Sequence, residues 1–122
     1  MSTTKLRVAV LGAGAWAQHA HIPGWQRDPR CEVAVICDPL RERAKGFAAQ
    51  FGVAEAASDW QQVVARPDID VVDVCTPSQT HFALSMAALE AGKHVLCEKP
   101  VAYDFRETLR ASALAAAKGL KT

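Results

Sequence analysis

A short apolar run ending at Leu11 leads straight into Gly12-Ala13-Gly14-Ala15-Trp16-Ala17, and a helical stretch follows. A glycine at the first position suits a tight turn. A second glycine two residues on lets the backbone approach a diphosphate, and the small Ala17 permits close helix–strand packing. The N–H groups that open the helix, together with its dipole, favour negative charge at that end. The next strand-like run ends in an acid, Asp38, about two dozen residues on, at the usual place for a carboxylate that accepts from ribose hydroxyls. Turn, helix start and acid together predict a dinucleotide site. Asp38 would repel a 2′-phosphate and so favours NAD(H), with NADP(H) as the other option. Arg41 and Arg43 lie just downstream and could turn toward such a phosphate, but they read as solvated helix charges paired with Glu42 or Asp38. S-adenosylmethionine is the other ligand class that uses such a turn and acid.

The second half of the chain separates these options. Cys75-Thr76-Pro77-Ser78-Gln79-Thr80-His81 and Glu98-Lys99-Pro100 each follow a strand-like run, on the edge where open α/β sheets bind ligands. Lys99 is the long ionisable side chain there. Burial would draw its titration toward neutrality and suit it to move a proton at a carbonyl or hydroxyl. Against these roles stand plainer ones: His81 capping or packing at a helix start, and Glu98 with Lys99 as a surface ion pair of little energetic weight. Trp16 and Trp25 serve equally as packing under the first helix, and Trp60 reads as helix-to-sheet packing. Asp73, alone among valines, is read as exposed on one sheet face. His19 and His21, two apart, fall on different sides of a helix, so no metal site is expected.

These groups must be positioned by elements that alternate in kind. Lys5–Leu11, Glu32–Cys37, Asp70–Cys75 and His94–Cys97 are Val/Ile/Leu/Cys runs without alternation, which suits strands covered on both faces. A weaker third strand is expected near Val53–Ala57. Helices are expected over Arg41–Phe51, stopped by Gly52, and from Ser58, with Gln61 as a capping box, to Ala65. Two more follow: one along Phe82, Met86 and Leu89 to Gly92, and one from Asp104 to Gly119. The pattern predicts a doubly wound parallel α/β sheet with right-handed crossovers.

Composition closes off other classes. The 122 residues carry 14 Lys+Arg against 13 Asp+Glu, so no basic stripe invites nucleic acid. No apolar run is long enough to span a bilayer, and Met1-Ser2-Thr3-Thr4-Lys5 is not a signal peptide start, which predicts a cytoplasmic protein and no membrane partner. Cys31, Cys37, Cys75 and Cys97 form no Cys-x-x-Cys pair and read as free thiols.

From the Gly12-x-Gly14 turn through Cys37-Asp38-Pro39 and Thr76-Pro77 to Lys93-His94-Val95-Leu96-Cys97-Glu98-Lys99-Pro100, the chain resembles the glucose-fructose oxidoreductase, inositol dehydrogenase and rhizopine-catabolism (Gfo/Idh/MocA) oxidoreductases. The resemblance implies that Gly12, Gly14, Ala15, Trp16 and Ala17 line the diphosphate and that Asp38 meets the adenosine ribose. It places Thr76, Pro77 and His81 along the nicotinamide half, Glu98 near the nicotinamide ribose, and catalytic Lys99 against the substrate. It further implies hydride transfer between a nicotinamide and a CH–OH or C=O carbon of a sugar, polyol or related small molecule.

In that family a sixth strand begins about where Lys121-Thr122 lie. A second α/β domain follows, whose Asp and His complete the proton relay and which supplies the pocket and the oligomer interface. The expectation is therefore a single Rossmann domain over residues 1–122, about five strands with the sixth cut off. Such a chain would bind NAD(H), show no turnover alone, and self-associate through its uncovered edge. A stand-alone dinucleotide-binding or redox-sensing module and, further off, a methyltransferase are the competing readings.

Overall fold

β1 (Leu6–Leu11) and β4 (Val71–Val74) lie side by side at the centre of an all-parallel sheet whose strand order is β3-β2-β1-β4-β5. β2 (Cys31–Cys37) and β3 (Glu55–Ala57) extend it on one side, and β5 (His94–Cys97) on the other. The computed structural model describes residues 4–122, and the polar start Met1–Thr3 lies outside them. All four residues of β4 and the last four of β1 are buried, as both-faced coverage demands of Val/Leu/Ala runs. The third strand is shorter than the sequence suggested, Glu55–Ala57, and pairs only with β2.

The two faces carry separate apolar layers. Val8, Val10, Ile36 and Val71 pack with Ala17 and with Ile22 of α1 (Ile22–Arg27), and with Ala44 and Ala48 of α2 (Arg41–Phe51). Ala9, Leu11, Val72 and Val74 face the other way. They meet α3 (Trp60–Val64), α4 (His81–Glu90) and α5 (Phe105–Lys118). These are the two covered faces of the expected doubly wound sheet.

Most helix ends form where the sequence placed them. Gly52 and Gly119 both take left-handed conformations, with φ of 67°, directly after α2 and α5. Asp104 caps α5 by accepting from the Arg106 N–H. The cap of α3 differs: Asp59, not Ser58, accepts from Gln61 N–H at 2.9 Å and Gln62 N–H at 3.4 Å. Ser58 lies one residue too early to reach those donors. The buried Lys93 is another device of this kind, its Nζ donating to the Arg66 and Ile69 carbonyls and so fixing the turn into β4.

The first helix has an unusual start. A wide π-helical turn over Ala17–His21 runs into α1, with the Ile22 N–H reaching back to the Ala17 carbonyl. Pro23 has no N–H to give the His19 carbonyl, and the widened turn accommodates that missing bond. It leaves His19 exposed and turns His21 inward. After α5 the chain returns to the outer edge of β5, where Val95 N–H donates to the Lys121 carbonyl.

Candidate active site: a dinucleotide crevice and a buried carboxylate–imidazole–carboxylate chain

The strand order reverses between β1 and β4, and at their carboxyl ends opens a crevice of about 530 Å³, the position and size of small-ligand sites in open α/β sheets. Gly12, Gly14, Asp38, Thr76 and Pro77, all named from sequence, line it together with Arg43. Gly12 sits at φ +100°, and a Cβ there would lie 2.6 Å from the Cys75 carbonyl oxygen, so both backbone shape and crowding demand glycine. Gly14 is the reverse case: a Cβ there would meet nothing within 4 Å. That open space beside the helix start is the cradle a diphosphate needs. The first helical bond runs from Gln18 N–H to the Gly14 carbonyl, and the N–H groups of Ala15, Trp16 and Ala17 lie ahead of it. Ala17 is fully buried against the sheet, whereas the Trp16 ring is 67% exposed. The residues present therefore fit an anionic dinucleotide.

Asp38 ends β2 and is buried. One carboxylate oxygen accepts from Ala13 N–H at 2.9 Å and the other from Leu40 N–H at 2.8 Å. The acid thus holds the glycine turn in place as well as facing the crevice, a structural role the sequence reading did not include. Arg43 is half-exposed, with a guanidinium nitrogen 3.9 Å from the Asp38 carboxylate. It stands at the crevice lip, a partly solvated helix charge whose partner is Asp38, one of the two acids expected from sequence.

On the other side of the crevice His81 is buried. Its ring nitrogens lie 2.7 Å from the Thr76 carbonyl and 2.7 Å from the Pro100 carbonyl. It joins the loop after β4 to the loop after β5, and the Lys99–Pro100 peptide between those strands and the histidine is cis. The Thr80 hydroxyl, 2.6 Å from Thr76 Oγ1, steadies the same loop. Lys99 is exposed, so the burial that the sequence reading relied on to tune it is not supplied by these residues.

Glu98 corrects another expectation. Its partner is not Lys99 but His21, whose Nε2 lies 2.6 Å from Glu98 Oε2. The same imidazole places Nδ1 2.9 and 3.0 Å from the two oxygens of Asp73. Asp73 is fully buried, not exposed on a sheet face, and also accepts from Trp25 Nε1–H at 2.7 Å and the Cys75 thiol at 3.4 Å. A carboxylate inside a strand covered on both faces has no water and must find donors in the protein.

The need for donors is legible in sequence but the choice of them is not: His21 and Trp25, spaced i and i+4, share one helix face, and nothing local ties that face to Asp73. Burial pulls the His21 titration down, but the Glu98 hydrogen bond and the Asp73 charge outweigh it and hold it above the ordinary value. The His21 hydrogen bond in turn holds Glu98 below the usual carboxylate range.

Among the described residues, His21, Asp73 and Cys75 bring ligand-type atoms within 4.8 Å of one another. Their contacts are hydrogen bonds, and burial, then the Asp73 charge, pushes the Cys75 thiol far up, which keeps it protonated. All four cysteines are free, and burial pushes Cys37 up to about 11. Among the described residues no helix is long and apolar enough to cross a membrane.

Comparison with known proteins agrees with this geometry. Residues 6–122 match the Gfo/Idh/MocA family model, described as "Oxidoreductase family, NAD-binding Rossmann fold". D-glucoside 3-dehydrogenase of Escherichia coli (strain K12) is 37% identical over 102 residues, covering 84% of this chain and 29% of that protein. Inositol 2-dehydrogenase 4 of Saccharopolyspora erythraea is 36% identical over 110 residues, covering 90% and 32%. Among solved structures, the 3-ketoreductase KijD10 from Actinomadura kijaniata, in complex with NADP and TDP-benzene, superposes with a TM-score of 0.91 at 35% identity. It covers 96% of this chain and 36% of that one. The chain spans about a third of the length of the curated relatives it matches. With its five parallel strands, glycine turn and acid-tipped second strand, the chain belongs to the Gfo/Idh/MocA oxidoreductase family and carries that family's NAD-binding Rossmann fold.

Proposed function

We propose that this chain is the cofactor-binding part of an NAD(P)-dependent oxidoreductase acting on CH–OH or C=O carbons of a sugar, polyol or related small molecule, and that it prefers NAD(H). One observation carries the reading: the open Cβ position of Gly14 beside the first N–H groups of the helix, with Asp38 across the crevice. A nicotinamide bound there supplies the hydride acceptor or donor. The chain's own residues bind and aim it. Gly12, Gly14, Ala15, Trp16 and Ala17 take the diphosphate, and Asp38 the adenosine ribose. Thr76 and Pro77 bound the nicotinamide half, with His81 holding their loop, and Glu98 meets the second ribose.

Lys99, exposed at the carboxyl end of β5, moves a proton at the substrate oxygen. The preference for NAD(H) rests on the Asp38 charge, which repels a 2′-phosphate. Arg43, 3.9 Å away, favours the second option, NADP(H). The 122 residues by themselves are expected to bind dinucleotide without turnover.

Exposed Leu96, Tyr103, Phe105 and Leu109 support self-association, which light scattering reads as a mass above the monomer; a clean monomer at high concentration overturns that part. The four free thiols fit a reducing compartment such as the cytoplasm. Titrating the chain with NADH and NADPH by nucleotide fluorescence tests the core of the proposal. Saturable binding, tighter for NADH, is expected. No binding of either, with S-adenosylmethionine raising the melting temperature instead, overturns it.

A further inference from the structure

Asp73 lies in β4 and Glu98 directly after β5, and among the described residues His21 alone bonds to both. The two ends of this chain of contacts differ in freedom. Asp73 is fixed: it is completely buried in a central strand and takes donors from His21, Trp25 and Cys75. The Glu98 side chain is 28% exposed and, among the described residues, takes one side-chain donor, His21. Rigidity therefore passes outward, from strand to Asp73, to the imidazole, to a carboxylate at the site's edge.

We propose that His21 is a positioning residue that presents the Glu98 carboxylate to the nicotinamide ribose and steadies the Glu98–Lys99 turn. This rests on the dinucleotide reading above. Glu98 Oε2 is held by the imidazole, and the partly exposed carboxylate keeps acceptor capacity for a ribose hydroxyl. Core packing alone does not account for the arrangement. Trp25 and Cys75 already satisfy Asp73, whereas the Nε2 bond leads to a partly exposed carboxylate just past the carboxyl end of β5, the edge of the sheet on which the crevice opens. The π-helical turn serves the same end, because it aims His21 at both strands while His19 stays outside.

The charged groups facing the imidazole are Asp73 from β4 and Glu98 from the end of β5, with the Trp25 indole and Cys75 thiol neutral. A protonated ring donates to both carboxylates. Once it loses a proton, one carboxylate faces a lone pair, and the more mobile Glu98 is the one released.

NADH and ADP separate this role from a merely structural one, because ADP fills the adenosine and diphosphate half and stops short of Glu98. His21→Gln keeps an amide nitrogen near the Nε2 position, and His21→Asn keeps one near Nδ1. The wild-type chain is expected to bind NADH more tightly than ADP. His21→Asn should reduce that advantage about tenfold while leaving ADP binding nearly unchanged, and His21→Gln should retain most of it. Raising the pH through the His21 titration, which Glu98 and Asp73 hold above the ordinary value, should erode the wild-type advantage and leave His21→Gln flat.

Equal loss of ADP and NADH binding in both variants, or an unchanged NADH-to-ADP ratio in His21→Asn, overturns the proposal. If neither variant folds, the wild-type pH dependence decides alone, and a flat ratio overturns it. Absence of NADH binding by a wild-type chain that binds ADP overturns the dinucleotide reading, and this inference with it.

Discussion

Two buried aspartates on the same sheet are satisfied in opposite ways. Asp38, at the tip of β2, accepts from the backbone N–H groups of Ala13 and Leu40. Asp73, in the middle of β4, accepts from side chains: His21, Trp25 and Cys75. Backbone donors come with any sequence that makes the turn, so the Asp38 end depends on a loop shape that glycines set. The Asp73 end depends on particular residues brought from the first helix. An acid held by backbone is replaceable where its loop survives, whereas an acid held by a side-chain network is lost or kept with the whole network.

The sharpest way to break the comparison is Asp73→Ala. It leaves the His21 ring and the Trp25 N–H buried without their acceptor and should lower unfolding stability by about 4 kcal/mol in urea titrations. A loss below about 1 kcal/mol would mean the network is not a unit. Asp38→Ser should act on recognition more than on folding. The hydroxyl keeps one acceptor for the turn but removes the charge beside Arg43, so the NADH-to-NADPH affinity ratio should fall about tenfold. An unchanged ratio would remove Asp38 from ribose discrimination.

The smallest effect is the pH dependence of stability. His21 is held above its ordinary 6.5, so its contribution is complete below that value and lost as pH rises through the raised folded value. Glu98 is held below its ordinary 4.5, so its contribution is complete above 4.5 and lost as pH falls through the lowered value. Melting temperatures should therefore peak between these limits, and His21→Gln should flatten the alkaline side most and the acid side in part, because the imidazole also holds Glu98 low.

Much of the fold was legible before any coordinates, and the reasons are local. Unbroken Val/Ile/Leu runs announce strands covered on both faces, and Gly52 and Gly119 announce helix ends because left-handed backbone favours glycine. The glycine turn at Gly12 and Gly14 and the acid at Asp38 are legible because they lie in one turn and just past one strand, set by local sterics. The Ser58 cap was misplaced by one residue, since Ser and Asp compete for the same donors and only the backbone path decides which oxygen reaches them.

The Asp73 partners were out of reach for a different reason. His21 is 52 residues from Asp73 and 77 from Glu98, and nothing local says which distant donor fills a buried carboxylate. Lys99 follows β5 as the His94–Cys97 run predicts, but its exposure is not legible, because exposure belongs to what surrounds a strand end and not to the strand itself. Sequence by itself determined the sheet, the glycine turn and the acid at the strand tip, all products of short-range sterics and hydrophobic pattern. Tertiary structure alone decided that His21 would tie a buried acid to an exposed one, because hydrogen-bond partners for a buried charge are chosen by the packing of elements that lie far apart in the chain.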